Sequence, residues 1–128
     1  MKKLLSILLV STLIFSLIGC AKISVTDKSS ATLTFIHDGK NITEALNEEE
    51  ANKLKAIFDG KALYSDSPSC AFSEDISISF GEQVFAIACD SCNVVKDCTS
   101  GKFFKVSERE KETIIAIFKN HGGYFPCV

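Results

Sequence analysis

Two cysteines separated by two residues, Cys89 and Cys92, form the pattern with the clearest potential for chemistry. A C-x-x-C pair at the start of a helix is typical of thiol–disulfide redox proteins, because the helix dipole lowers a thiol pKa. Residues 93–101, which follow, lack helical periodicity and contain a third cysteine, Cys98. The spacing also suits zinc, with Cys98 and His121 as further ligands, although a second closely spaced pair is missing. Both hypotheses stay open, and the sequence favours neither.

The remaining polar candidates have ordinary structural explanations. His37 is predicted at the tip of a hairpin, and His121 follows a helix, where a cation complements the dipole. The acidic run Glu48–Glu50 fits the solvated first turn of a helix. The sequence contains no G-x-S-x-G motif, no phosphate-binding loop and no paired Cys–His pattern. We therefore assign no catalytic residues and no metal ligands, and we favour a non-catalytic protein without excluding an enzyme.

The N-terminus has the features of an export signal. Lys2 and Lys3 precede an apolar run from Leu4 to Ile18. As a helix, this run spans about 22 Å, which is short of a hydrocarbon core of about 30 Å. A basic start and a short apolar region therefore indicate a secretory signal and not a transmembrane helix. The run ends in the sequence Leu17-Ile18-Gly19-Cys20.

Residues 1–20 resemble the signal region of bacterial lipoproteins, which ends in a lipobox of this kind. The resemblance implies that residues 1–19 are a cleaved signal peptide. It also implies that the thiol of Cys20 carries a covalent diacylglyceryl lipid (palmitate or a similar acyl chain) and that no other cofactor is needed. Two acyl chains form a stable anchor, whereas one is marginal. We expect a protein anchored to the cell membrane on its exocytoplasmic face.

Length and charge limit the partners of the chain. The 128 residues suit one domain, and a net charge of -2 excludes the basic footprint of a nucleic-acid-binding protein. Residues 20–31 comprise the lipidated N-terminus and a polar stretch that we interpret as a flexible tether. Residues 32–128 are then a single disulfide-stabilised domain, whose partners are the membrane, through the lipid, and an unknown envelope protein or ligand.

The other five cysteines are candidates for disulfides, because cysteines in small extracytoplasmic domains are usually bridged. An odd number allows at most two bridges within the chain and leaves one thiol unpaired. Extending the register of a predicted hairpin brings Cys70 close to Cys92, and a Cys70–Cys127 bridge is equally attractive. We favour bridges that involve Cys70, Cys92 and Cys127. The candidate disulfide cysteines are Cys70, Cys89, Cys92, Cys98 and Cys127.

Two similar amphipathic helices are predicted sixty residues apart. Asn47 and Ser107 are each followed three residues later by a glutamate, which is the capping-box pattern. Apolar residues then recur at helical spacing up to Phe58 and Phe118. Either an internal duplication or convergence on a good helix start explains this sequence similarity between the two helices, which we call the echo.

Between and before the helices, the apolar pattern alternates with a period of two. A turn at residues 81 and 82 places Ile78 opposite Phe85, and an Asp-Gly turn places Phe35 opposite Ile42. Residues 102–106 read as a further strand. The predicted fold is a two-layer α+β domain, with an antiparallel sheet of about five strands and two helices on one face. For such a domain, held at the membrane, we favour the function of a binding or interaction module at the cell envelope. The alternative is a thiol–disulfide or metal-handling protein that uses Cys89 and Cys92.

Overall fold

The computed structural model describes residues 21–27 and 30–125. Its elements follow the order ββα, ββ, ββα. The strands are β1 (Ala31–His37), β2 (Lys40–Ala45), β3 (Ser77–Phe80), β4 (Gln83–Ile87), β5 (Val94–Asp97) and β6 (Lys102–Lys105), and the helices are α1 (Glu48–Phe58) and α2 (Glu108–Asn120).

The described strands form one antiparallel sheet in the order β2-β1-β3-β4-β5-β6. The predicted α+β class is confirmed, with six strands in place of about five. The additional strand is β5, in which Val94, Val95 and Asp97 are all buried. Because it is buried on both faces, it lacks the alternation of apolar and polar residues that marks a half-exposed strand.

Both predicted hairpins form in the expected register. Ile78 lies opposite Phe85 in the β3–β4 hairpin, and Phe35 lies opposite Ile42 in the β1–β2 hairpin. The two-residue turn of the β1–β2 hairpin requires positive φ at both positions, and Asp38 and Gly39 have φ values of 49° and 71°. Turn chemistry and the apolar pattern therefore agree on the same register.

Each helix begins with the predicted capping box. The Asn47 side chain accepts a hydrogen bond from the Glu50 N–H at 2.8 Å, and the Glu50 carboxylate accepts from the Asn47 N–H at 3.2 Å. Ser107 and Glu110 make the same reciprocal pair at 3.1 and 2.7 Å. At each helix start, the N–H groups of the N-cap residue and of the glutamate three residues later are thereby satisfied.

The echo between the helices extends to whole ββα units. In each unit, the residue that follows the second strand donates its N–H back to the start of the first: Leu46 to the Ala31 carbonyl and Val106 to the Asn93 carbonyl, both at 3.0 Å. The sheet order places the two units at opposite edges, with the β3–β4 hairpin between them. This arrangement corresponds to an approximate two-fold axis perpendicular to the sheet.

The core lies between the helices and one face of the sheet. Phe58 is at its centre, with ring centroids 6.2, 5.1 and 5.4 Å from those of Phe80, Phe85 and Phe104. All four side chains are fully buried. The second helix packs into the same core through Ile114, Ile117 and Phe118.

The connection between α1 and β3 covers part of the opposite face at the β6 edge. Tyr64 exchanges two backbone hydrogen bonds with Phe103, at 2.8 and 2.9 Å, and so lies beside β6. The Phe72 ring packs on the Phe103 ring, with centroids 5.5 Å apart. The face that helices leave open is thus partly closed by this loop.

The N-terminal segment differs from the predicted tether. Residues 21–27 pack along the domain, and Ile23 and Val25 are each only 5% exposed. The Ile23 N–H donates to the Lys61 carbonyl, and the Gly60 N–H donates to the Ile23 carbonyl. The alternation of two apolar residues with polar ones was too short to predict a strand-like segment. The core therefore extends towards the N-terminus beyond Thr32, the expected start of the domain.

Three predictions fall outside the described residues: the signal peptide, the lipidated Cys20 and any bridge made by Cys127. Within the part of the chain that the structure describes, no helix has the length and apolar character needed to cross a membrane.

Candidate functional site

The C-x-x-C motif lies in the loop between β4 and β5, and its aspartate organises that loop. The Asp90 carboxylate accepts hydrogen bonds from the N–H of Cys92 at 3.0 Å and from the N–H of Ala71 at 3.2 Å. The hydrogen bond from Cys92 is the main reason why the pKa of Asp90 is lowered. Asp90 therefore acts as an ionised brace between this loop and the segment that precedes β3.

A disulfide joins Cys70 to Cys92, with the two Cα atoms 6.1 Å apart. The bridge is one of those that the sequence favoured. The register of the β3–β4 hairpin, extended outwards, places Cys70 close to Cys92 but not directly opposite it. A turn at Ser73, in which the Ile76 N–H donates to the Ser73 carbonyl at 3.0 Å, accommodates this offset. The bond therefore ties the long α1–β3 connection to the β4–β5 loop.

Cys89 is disulfide-bonded as well, but not to Cys92, whose sulfur is bonded to Cys70. The two cysteines of the motif thus belong to different bridges. Of the candidate cysteines, Cys98 has a free thiol, which corrects its inclusion among the candidates for a disulfide.

Cys98 lies in the turn between β5 and β6, at the opposite end of β5 from the C-x-x-C motif. Burial is the main cause that raises the pKa of its thiol. Its Sγ atom is 3.9 Å from the Lys96 carbonyl oxygen. A raised pKa reduces the thiolate fraction, so this environment is unlike that of a catalytic cysteine.

The structure does not bring the hypothetical zinc ligands together. Sγ of Cys70, Sγ of Cys92 and a carboxylate oxygen of Asp90 lie within 4.8 Å of one another, but both sulfurs belong to the disulfide. A disulfide sulfur cannot act as the thiolate that zinc prefers. His121 lies elsewhere, between two glutamates.

Lys111 is a buried residue of the site that the sequence reasoning missed. Lys111 is 5% exposed. Its Nζ donates to the carbonyl oxygen of Ala88 and, at 2.9 Å, to the carbonyl oxygen of Cys92. Burial lowers the pKa of Lys111, and the nearby Asp90 carboxylate opposes that shift. A signal was available in the echo, because Lys111 stands where the first helix has Ala51 on its apolar face.

His121 bridges the two ββα units. Its Nδ1 is 2.5 Å from a Glu44 oxygen and its Nε2 is 3.0 Å from a Glu50 oxygen. A neutral imidazole has one donor nitrogen, so two carboxylate partners require the imidazolium form. Hydrogen bonding to Glu50 is the main cause that raises the pKa of His121, with Glu44 contributing and burial opposing.

The first-turn glutamate Glu50 is therefore less solvated than expected, with a side chain only 12% exposed. His37 matches its predicted place at the hairpin tip. Its side chain is 51% exposed and its Nε2 is 3.4 Å from an Asp38 oxygen.

Two concave regions differ in character. An apolar cavity of about 60 Å³ lies beneath the C-terminal segment and is lined by Phe35, Phe118 and Phe125, among others. An open groove of about 740 Å³ lies beside the β6 edge and is lined by Ala62, Leu63, Tyr64, Asp66, Ser67, Pro68 and Lys105. The first has room for about one or two water molecules, whereas the second is a surface feature.

Comparison with known proteins produced no match: no family model fits the chain, and no curated protein or solved structure is significantly similar to it.

Proposed function

We propose that this chain is a lipid-anchored protein of the exocytoplasmic face, whose folded domain binds a partner at the cell envelope without catalysing a reaction. The observation that carries the proposal is the division of the C-x-x-C cysteines between two different bridges. Disulfides that cross-link a small scaffold persist in oxidising compartments, which is where the predicted signal would direct the protein.

The charged groups near the motif support a scaffold role. Lys111 and Asp90 bind backbone groups of the β4–β5 loop, and Asp90 also accepts from the N–H of Ala71 in the segment before β3. Their polar atoms are thereby engaged in fixing the loop, while a general acid or base needs contact with a substrate.

The β2 edge is the surface that we propose for the partner. Among the described residues, β2 pairs with β1 alone, and Lys40, Asn41, Thr43 and Ala45 are exposed. The Leu46 N–H points towards β1. Because N–H directions alternate along an antiparallel strand, the N–H groups of residues 41, 43 and 45 point away from β1. The carbonyl groups of an added strand would accept hydrogen bonds from them.

The membrane part of the proposal is tested by Cys20→Ala. The wild-type protein should incorporate a labelled fatty acid and fractionate with membranes, whereas the variant should lose the label and be released. A variant that stays fully membrane-bound would contradict the lipid anchor. Ser6→Ala, within the apolar run, is the matched control and should behave as wild type.

The binding part is tested with Thr43→Pro, which removes one outward N–H without touching the ladder to β1. Thr43→Val, which keeps the N–H, is its control. Envelope partners cross-linked to the wild type and to Thr43→Val should be lost from Thr43→Pro. Rapid alkylation of Cys89 or Cys92 in the native protein would instead favour thiol chemistry.

A further inference from the structure

The segment that follows the predicted lipid site is fixed to the domain. The Leu63 N–H donates to the Ala21 carbonyl at 2.9 Å, and the Ile23 N–H donates to the Lys61 carbonyl at 2.9 Å. The Val25 N–H donates to the Asp59 carboxylate at 3.0 Å. Since consecutive Cα atoms are about 3.8 Å apart, a lipid on Cys20 starts within one residue of this docked backbone.

The docked segment reaches the β6 side of the sheet. Leu63, the partner of Ala21, immediately precedes Tyr64, which pairs with Phe103 of β6. The β2 strand is at the other edge, five inter-strand spacings away. At about 4.8 Å for each spacing, the two edges are about 24 Å apart, so an anchor at one edge leaves the other remote.

The surface around Ala21 has the chemistry of a membrane interface. Lys22 and Lys105 are exposed, and Nζ of Lys105 lies 6.0 Å from the centroid of the Tyr64 ring. A tyrosine with flanking lysines is favoured at the headgroup level, and lysines attract anionic lipids. Asp66 is the acidic member of the same groove.

We propose that the β6 edge and the groove formed by residues 62–68 and Lys105 rest on the lipid headgroups, with the β2 edge directed away from the bilayer. The proposal rests on the lipidation of Cys20 proposed above. It deepens that proposal, because the docking of residues 21–27 sets one orientation where a flexible tether would allow many. The strand edge offered to a partner is then the one farthest from the membrane.

Tryptophan fluorescence tests the orientation, because the chain contains no tryptophan. Ser67→Trp places the probe in the groove, and His37→Trp places it in the β1–β2 turn; both positions are exposed. The lipidated full chain is reconstituted into phosphatidylcholine–phosphatidylglycerol vesicles that contain lipids brominated near the headgroup. We expect several-fold stronger quenching for Ser67→Trp than for His37→Trp.

The outcomes separate the two proposals. Equal quenching of both variants, or stronger quenching of His37→Trp, in protein that floats with the vesicles would overturn the orientation and leave the anchor intact. Failure of the protein, expressed under conditions that allow acylation, to float with the vesicles would overturn both the lipid anchor and the orientation. Combining Lys22→Glu and Lys105→Glu with Ser67→Trp should reduce the quenching without reducing flotation, and unchanged quenching would contradict the contact with anionic headgroups.

Discussion

Lys61 and His121 occupy equivalent positions in the two ββα units, and each binds the glutamate that caps the helix of the other unit. Lys61 Nζ lies 2.8 and 2.9 Å from the two Glu110 oxygens, and His121 Nε2 lies 3.0 Å from a Glu50 oxygen. The end of each helix is thereby tied to the start of the other. The His121 tie depends on pH, because Glu50 and Glu44 raise the pKa of this imidazole.

The tie made by His121 predicts a fold that is less stable in alkaline solution. Its pKa is raised by the two glutamates, so the imidazolium stabilises the folded state. That contribution is fully present below the unfolded-state pKa of about 6.5. It is lost as the pH rises through the higher folded-state pKa. The free energy of unfolding in urea should therefore fall as the pH is raised above about 6.5.

His121→Gln should remove that pH dependence and lower the free energy of unfolding by about 1–2 kcal/mol at pH of about 6. His37→Gln is the control, because His37 is exposed at the hairpin tip; it should leave both the stability and its pH dependence close to wild type. A pH dependence that survives His121→Gln would show that another group is responsible.

Lys111→Met should destabilise the fold by about 1–3 kcal/mol, because the carbonyl groups of Ala88 and Cys92 lose their buried donor. Methionine keeps an unbranched apolar chain that matches the lysine side chain up to Cε, so the loss reports the ammonium group. Lys119→Met, at an exposed position of the same helix, should change the free energy of unfolding by less than about 0.5 kcal/mol. Equal effects of the two variants in urea unfolding would contradict the role of Lys111.

Removal of the Cys70–Cys92 bridge by the double substitution Cys70→Ser/Cys92→Ser should cost about 3 kcal/mol. The bridge spans 22 residues, and the chain-entropy model gives about 3 kcal/mol for a loop of that order. Cys98→Ser removes the free thiol and should be nearly neutral. Unfolding under non-reducing conditions measures both, and an unchanged midpoint for the double variant would argue that the bridge is unimportant.

Peptide mapping without reduction should find Cys89 bonded to Cys127. Cys98 is free and Cys70 is bonded to Cys92, and lipidation of Cys20 would occupy the remaining alternative. Alkylation of the native protein at neutral pH should be slow and confined to Cys98, since burial raises the pKa of that thiol. A Cys20–Cys89 peptide would contradict lipidation at Cys20.

The fold was predictable wherever a local pattern carried the information. The Asp38–Gly39 turn, the Ile78–Phe85 register and both capping boxes depend on residues close in sequence, and all are present. The strand β5 and the docking of residues 21–27 escaped prediction for the opposite reason. Both are buried by distant parts of the chain, so their own residues carry no complete periodic pattern.

The site was predictable only in its residue types. Cysteine chemistry indicated cross-links, but fifteen arrangements of five cysteines were compatible with the sequence. Lys111 was missed despite its alignment with the apolar-face residue Ala51, because a lysine on a predicted helix normally lies at the surface. His121 was expected to complement a helix dipole, while its actual partners come from the other half of the domain.

The sequence by itself determined the helices, the hairpins and the fold class, because each depends on contacts or motifs within a few residues. Only the tertiary structure decided which cysteines are bridged, which cation faces which glutamate and where the N-terminal segment lies. Those features join residues 22 to 77 positions apart, and such contacts form only when the strands assemble in one particular order.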